Sequence, residues 1–448
     1  MSSGTRSPHS DAATAGVDAL KPDRVPLDVP RTGTRRGARR ERVALRERFA
    51  VALRRHRWTI LVYLGSRVLL FAVALVEGAL GHHSIAHELA NWDGLWYRAL
   101  ANKGYPAHVA HAQTTLGFFP LYPIVIWLVA HAFAWATTKG IVWSITVAGV
   151  IVSTVGGLVA TLLVQRLAAS WWGEDTGRRA AVLFCLFPGS VVFSMVYAEG
   201  LLIPLAAGCI LALQRRRWIL AGLLAGLATA AGPEALVLIL VCVTAALLEL
   251  RRSGWLRRSG GLRQSGGLRR GGAPDRGAWR SLLAPLLSVG GVSAFAVFLW
   301  AWTGTPFANL LTQHYGWGEK TDPFALVHLA SSLAGEISFK PFNDPTINLN
   351  LPVGLGGAVL LIGLLVLVFK ARHVISVEAI AWTLGISFLA ITSEFTPPNP
   401  RLLITAFPAV IVAARYVRGR AFPWLLGVNG ALLVVMSAAT FVGTTLRP

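Results

Sequence analysis

From Trp58 to the C-terminal end, long apolar runs alternate with short polar stretches. Each run holds roughly 17–25 residues, enough for a helix to cross a bilayer. The runs are rich in Leu, Ala and Val and show no period-two alternation, which excludes a transmembrane barrel. Backbone cannot cross lipid with its polar groups unpaired, so the spans are helices. The pattern predicts an all-α polytopic membrane protein with about eleven spans. They fall near 57–79, 141–165, 180–197, 199–213, 217–232, 234–250, 281–302, 349–370, 377–392, 401–416 and 422–443.

Basic residues orient the spans, because cytoplasmic loops carry an excess of Lys and Arg. Arg54, Arg55 and Arg57 set the start inside, and Arg166, Arg178 and Arg179 follow on the same side. So do Arg215 to Arg217, Lys370 with Arg372, and Arg415, Arg418 and Arg420. The apolar stretch Leu121–Trp135 breaks this register, since a crossing there would turn every later basic cluster outward. It is therefore expected to lie on the outer surface as an interfacial helix, flanked by Pro120, Pro123, Trp127, His131 and Trp135. A short re-entrant segment would satisfy the charges equally well.

Composition agrees with the class. Of the 448 residues, 54% are hydrophobic and 14% charged, against about 25% charged in soluble domains; mean hydropathy is +0.56. The net charge of +21 raises the question of nucleic acid. Arginine, however, crowds into residues 1–57 and 251–280, segments that belong against anionic cytoplasmic lipid, so membrane lipid and not nucleic acid is the expected partner. Residues 1–56 read as a disordered basic cytoplasmic N-terminus, and the long polar stretch before Trp58 argues for an uncleaved anchor over a signal peptide. Residues 57–250 read as an N-terminal transmembrane module whose first outer loop spans 80–140. A flexible basic linker covers 251–280, with Ser-Gly-Gly-Leu-Arg at 259–263 and again at 265–269. Residues 281–448 form a C-terminal module with an outer loop at 303–348. Cys185, Cys209 and Cys242 all sit in apolar runs, without metal-type spacing, and read as inert thiols.

This topology collects acids on the outer side: Glu77, Glu88, Asp93, Glu199, Glu234, Glu319, Asp322, Glu336, Asp344 and Glu394. Cations there are few, namely Arg98, Lys103, Lys139, Lys320, Lys340 and Arg401. The stretch Asn91-Trp92-Asp93-Gly94-Leu95-Trp96-Tyr97-Arg98 stands out. A carboxylate between tryptophans at the interface is partly desolvated, which raises its basicity; capping of the following helix accounts for Asp93 equally well. Tyr197-Ala198-Glu199 closes a run broken by Phe187-Pro188-Gly189, with Glu199 either favoured by the helix dipole or functional. Pro397-Pro398-Asn399-Pro400 hold an extended loop before Arg401, whose guanidinium suits a phosphate or simply snorkels. The outer histidines His82, His83 and His87 show no ligand set of known spacing, so no metal and no cofactor are assigned, and a divalent ion stays open.

Taken together and in order, Trp92-Asp93-Gly94-Leu95-Trp96-Tyr97, Gly104-Tyr105-Pro106, Phe118-Phe119-Pro120-Leu121-Tyr122-Pro123 and Phe187-Pro188 with Tyr197-Ala198-Glu199 resemble the PIG-V family, the GPI second-mannose transferase and its bacterial relatives. Pro400-Arg401 followed by Phe407-Pro408 matches more loosely, and the resemblance covers about residues 58–415. It implies a GT-C-like bundle with interfacial helices in the first outer loop. It implies transfer of a sugar, usually mannose, from a polyprenyl-phosphate donor to a glycan, lipid or protein acceptor outside the cell membrane, with inversion. Carried over, Asp93 is the base and Glu199 the second acid. Trp92, Trp96, Tyr97, Arg98, Lys103, Tyr122, Tyr197 and Arg401 are expected to line the substrate site. One departure stands out: where the family often carries a Thr-Arg-Pro-like step, this chain reads Thr229-Ala230-Ala231-Gly232-Pro233-Glu234, an acid in place of the arginine. The competing class is a transporter, which would place ionisable residues mid-membrane on broken helices; Pro188 and Pro233 are its support.

Overall fold

The structure is a computed structural model and describes residues 34–134, 140–254, 277–339, 348–441 and 446–448, with side chains from His56 onward. The chain is a multi-pass, all-α membrane protein: among the described residues there is no strand, only an isolated antiparallel bridge between Thr321 and Ser393. Among the described residues, six helices are long and apolar enough to cross a membrane, or seven if one bent pair is a single span.

In chain order the helices are α1 (Thr34–Leu80), α2 (Ile85–Glu88), α3 (Asp93–Lys103), α4 (Leu121–Ala134), α5 (Ile141–Trp172), α6 (Glu174–Leu186), α7 (Glu199–Gln214), α8 (Trp218–Thr229) and α9 (Val237–Arg252). They continue as α10 (Leu283–Ser288), α11 (Gly290–Thr303), α12 (Ala308–Leu311), α13 (Ala325–Phe339), α14 (Asn350–Ala371), α15 (Val377–Thr392), α16 (Pro400–Thr405), α17 (Phe407–Tyr416) and α18 (Ala421–Phe441). Every predicted span has helix at its place. Several are short, such as the 12 residues of α8 and 16 of α7, about 18 and 24 Å at 1.5 Å per residue.

Three expectations change. Residues up to Arg55 form a unit of their own, and within it the chain is helical from Thr34, where disorder was expected over residues 1–56. After Pro30 this segment is dominated by Arg, Ala, Glu and Leu, all good helix formers. Residues 1–33 and the centre of the basic linker, 255–276, lie outside the described residues, as do Trp135 and Lys139.

Next, the span expected at 180–197 is not one helix. It divides into α6 and a 3-10 turn, Pro188–Ser194, bent by 74°. Pro188 lacks an N–H and pushes Phe187 into extended backbone, ψ 136°. The freed carbonyls are taken by Arg67 of α1. Its guanidinium, 2% exposed, donates to Cys185 O (3.3 Å), Ser190 O (2.5 Å), Ser190 Oγ (3.0 Å) and Ser194 Oγ (3.1 Å). Among the described residues no carboxylate pairs with Arg67. A buried cation satisfied by carbonyl and hydroxyl oxygens is a fixture of the fold, and it ties the bend to α1.

The third change is similar: the span expected at 401–416 breaks at Ala406 into α16 and α17, with Pro408 opening the second piece.

α4 is 14 residues long, about 21 Å, short of the roughly 30 Å of a hydrocarbon core. Tyr122, Ile126 and Ala130, four residues apart, are fully buried, while Ile124, Trp127 and Leu128 present an apolar exposed face. That length and that face fit the expected surface helix.

Glycine decides two helix approaches. A Cβ on Gly156 of α5 would lie 1.7 Å from Gly200 O, so α5 and α7 cross backbone to backbone. A Cβ on Gly189 would lie 2.0 Å from Pro400 O, so the 3-10 turn sits directly against the start of α16. Those two approaches set Glu199 and Arg401 where they are.

Candidate active site

The site forms where the segment between α1 and α5 meets the loop before α16. Asn91 is buried and donates to Glu88 Oε2 (3.1 Å) and to Phe441 O (3.1 Å). Trp92 holds a positive φ of 59°, uncommon for a bulky residue. Its indole donates to Thr440 O at 3.2 Å, so the end of α18 clamps the segment. Asp93 then opens α3, and its backbone N–H donates to Tyr197 Oη at 3.2 Å.

Trp92, not Asp93, occupies the N-cap, and no side chain caps this helix. The Asp93 carboxylate turns instead to Arg401, whose Nη1 donates to Oδ2 at 2.5 Å. Of the two readings left open by the sequence, capping is thus not what the side chain does. Arg401 Nε lies 3.3 Å from Glu199 Oε1, an ion pair off the donor's axis, so this buried N–H has no hydrogen-bond acceptor. The Arg401 guanidinium also stands over the Tyr197 ring at 5.6 Å. Side-chain exposures of 30% for Asp93, 15% for Arg401 and 10% for Glu199 show which of the three meets solvent most.

The aromatic expectations divide. Trp96 packs on Phe118 (6.1 Å) and edge-on to Trp317 (5.0 Å), forming one wall. Tyr97 is buried between Phe118 and Tyr122. Burial, and then the charges of Glu199, Asp93 and Glu234, raise its phenol well above the ordinary tyrosine value, so it stays protonated. Tyr122, expected to touch substrate, is fully buried. Its hydroxyl meets Gly149 O (3.0 Å) and Ser153 Oγ (2.8 Å), and Ser153 donates to Tyr197 O (2.9 Å). The Tyr122 hydroxyl is thus engaged within the protein and linked through Ser153 to Tyr197 O. Arg98 is half-buried and Lys103 exposed, and neither has an ion-pair partner among the described residues.

Further acids ring the guanidinium. Glu234 stands in the 3-10 turn Pro233–Leu236. Glu319 accepts from Ser393 Oγ at 2.7 Å, and Glu394 N donates to Lys320 O, joining the two outer loops of the C-terminal half. Burial, followed by the charges of Glu234 and Glu394, raises the Glu319 carboxyl above its ordinary value, while Ser393 and Arg401 offset part of this. Arg447 was not anticipated. Its guanidinium lies over Phe395 (4.6 Å) and Trp92 (5.9 Å), adding a cation at the rim. Arg67 was missed too, although a lone arginine inside an apolar run is a signal in itself. Next to the site, an apolar groove of about 790 Å3 runs between α4, α5, α7 and α8, past Leu121, Gly156 and Leu201, to Arg166 and Arg215.

The Trp-Asp-Gly loop, the α4 turn, the Pro188 break and Glu199 all lie in one segment that can be compared with known families. Residues 68–248 match the family described as Mannosyltransferase (PIG-V). The match takes in Asp93 and Glu199 and ends before Arg401. No curated protein matches the chain. Among solved structures, ArnT from Cupriavidus metallidurans bound to undecaprenyl phosphate is 15% identical, with a TM-score of 0.45 over 83% of this chain and 62% of that one. The archaeal oligosaccharyltransferase AglB from Archaeoglobus fulgidus, in complex with an inhibitory peptide and a dolichol-phosphate, is 11% identical, with a TM-score of 0.46 over 87% of this chain and 56% of that one. This chain thus spans less than two thirds of the length of either.

Proposed function

We propose that the protein is a membrane glycosyltransferase that moves mannose from a polyprenyl-phosphate donor to an acceptor hydroxyl on the extracytoplasmic side of the cell membrane, with inversion at the anomeric carbon. The observation that carries this reading is the Asp93–Arg401–Glu199 cluster at the mouth of the first outer loop, two of whose three members lie in the PIG-V segment.

Asp93 is the more open of the two carboxylates and acts as the base. It takes the proton of the acceptor O–H as that oxygen attacks C1, and the bond from C1 to the phosphate oxygen breaks. The electron pair leaves with the polyprenyl phosphate, and a β-linked donor gives an α-linked product. The Asp93 carboxylate, at the mouth of the site, stabilises positive charge developing at C1. Arg401 fixes the direction of the Asp93 carboxylate. The leaving phosphate draws on cations that have no carboxylate partner, namely Arg98, Lys103 and the rim residue Arg447. Glu199 is the second acid and orients the acceptor, with Trp92 and Trp96 giving the apolar walls. The groove between α4, α5, α7 and α8 is wide and apolar enough to hold the polyprenyl chain.

The test is transfer of radiolabelled mannose from polyprenyl-phosphate mannose in membranes, wild type beside Asp93→Asn. The variant is expected to insert normally and to lose transfer by about 10²–10⁴-fold, the usual contribution of a positioned base. Full transfer in the variant would remove Asp93 from that role. Uptake of a solute by wild type, without transfer, would favour the transporter.

A further inference from the structure

Just before the active loop, three potential metal ligands converge that their sequence spacing gave no reason to join. The turn from α1 to α2 contains His82 at a φ of 57°. This left-handed residue sends the chain back on itself, and His83 N donates to Gly78 O at 2.8 Å. The His83 ring thereby returns over α2, with Nδ1 3.3 Å from Glu88 Oε1. The His83 and His87 rings lie 4.8 Å apart, and one ligand atom each from His83, His87 and Glu88 lies within 4.8 Å of the others.

Glu88 is what makes this a site and not a surface pair. It is 1% exposed, and among the described residues no lysine or arginine neutralises it. Its other oxygen accepts only from the neutral amide of Asn91. A buried carboxylate needs a compensating positive charge. The exposed imidazoles that reach it offer nitrogen donors, and two imidazoles plus a carboxylate are the ligand set of an open divalent zinc site. Metal–ligand bonds of about 2.0–2.2 Å put neighbouring ligand atoms roughly 3.3 Å apart. Both imidazoles are exposed and close the gap by rotation about their side-chain bonds.

We propose that His83, His87 and Glu88 bind one divalent transition-metal ion of the zinc class, with the remaining coordination position open to the outer medium and Asn91 as the outer-sphere partner of Glu88. The ion clips α2 to the end of α1. Through Glu88 and Asn91 it fixes the Trp92 backbone, and so the start of α3 that carries Asp93. It stands outside the chemistry proposed above, and its binding is measured without any transfer assay, so the two readings fail separately.

The full-length protein, purified in detergent and stripped with a chelator, is titrated with Zn²⁺ alone against a chromophoric competitor. One equivalent is expected to bind, and zinc is expected to raise the Tm of wild type. The H83A/H87A double variant is expected to lose both effects. Asn91→Ala is expected to weaken binding by about 10–100-fold, as outer-sphere changes do. H108A/H111A, which removes two other outer histidines, is expected to bind like wild type. Size-exclusion profiles check that each variant is folded, and Glu88→Gln gives a second route to the same loss. No saturable binding by wild type, or equal binding by a folded H83A/H87A variant, would overturn the site.

Discussion

Arg401 is held between two carboxylates, one of them 308 residues away in the chain. Each acid could be read from its own neighbourhood, Asp93 from the tryptophans around it and Glu199 from its place after the Pro188 break. The meeting could not, because no local pattern encodes a contact of that range. The same holds for Tyr122: the motif that carries it was visible, but its burial against Gly149 and Ser153 depends on α5. With all three charged groups at most 30% exposed, losing one strands the others. Arg401→Gln is therefore expected to lower stability by about 3–5 kcal/mol, and Arg401→Gln with Asp93→Asn by less than the sum of the singles. Thermal or chaotrope unfolding of the four proteins checks this; simple additivity would show that the pair is not coupled.

Glu319 gives a pH-dependent case at the same scale. Its folded carboxyl titrates above the ordinary value, so the ionised form opposes folding. The penalty is full above the raised value and vanishes below the unfolded value of about 4.3. Glu319→Gln keeps an acceptor for Ser393 and removes the charge. It is expected to raise Tm at pH 7–8, with the gain fading as pH falls towards about 4. A gain that is constant across this range would contradict the assignment.

Between elements, backbone contact does what side chains do within the site. Hydrophobic run lengths located the helices well, because burial in lipid needs only apolar length. The breaks were less legible. Pro188 marked the place of the bend, but not that Arg67 would donate to Cys185 O and Ser190 O across it, nor its 74° angle. Gly189 against Pro400 O then seats α16. An added Cβ meets rigid backbone at 2.0 Å, so Gly189→Ala is expected to shift the start of α16 and carry Arg401 away from Asp93. Mannose transfer is expected to fall by about 10²-fold, as for misplaced reacting groups, while insertion is kept. Unchanged transfer in the alanine variant would show that this approach is not what positions Arg401.

Over the whole molecule, the distribution of charge predicts the sidedness. Arginines such as Arg178 and Arg217 fall at one set of helix ends, where Asp175 and Glu249 pair with their neighbours, while most of the acids beyond the N-terminus gather at the other. That segregation was legible because it is set by insertion and not by packing. The three native cysteines are buried, so single engineered cysteines report cleanly. His108→Cys is expected to label with an impermeant thiol reagent from outside in intact cells, and Arg178→Cys only after permeabilisation. The reverse pattern would invert the topology and place the Asp93 site in the cytoplasm.

The central claim joins these scales: the fold brings Asp93 to the mouth of the first outer loop, aims it with Arg401 and uses it as a base on a lipid-linked sugar. The most direct test is single-turnover transfer of radiolabelled mannose from polyprenyl-phosphate mannose in membranes, wild type beside Asp93→Asn. The account expects label in product with wild type and a loss of about 10²–10⁴-fold in the variant at equal expression. Equal transfer by the two proteins would contradict it.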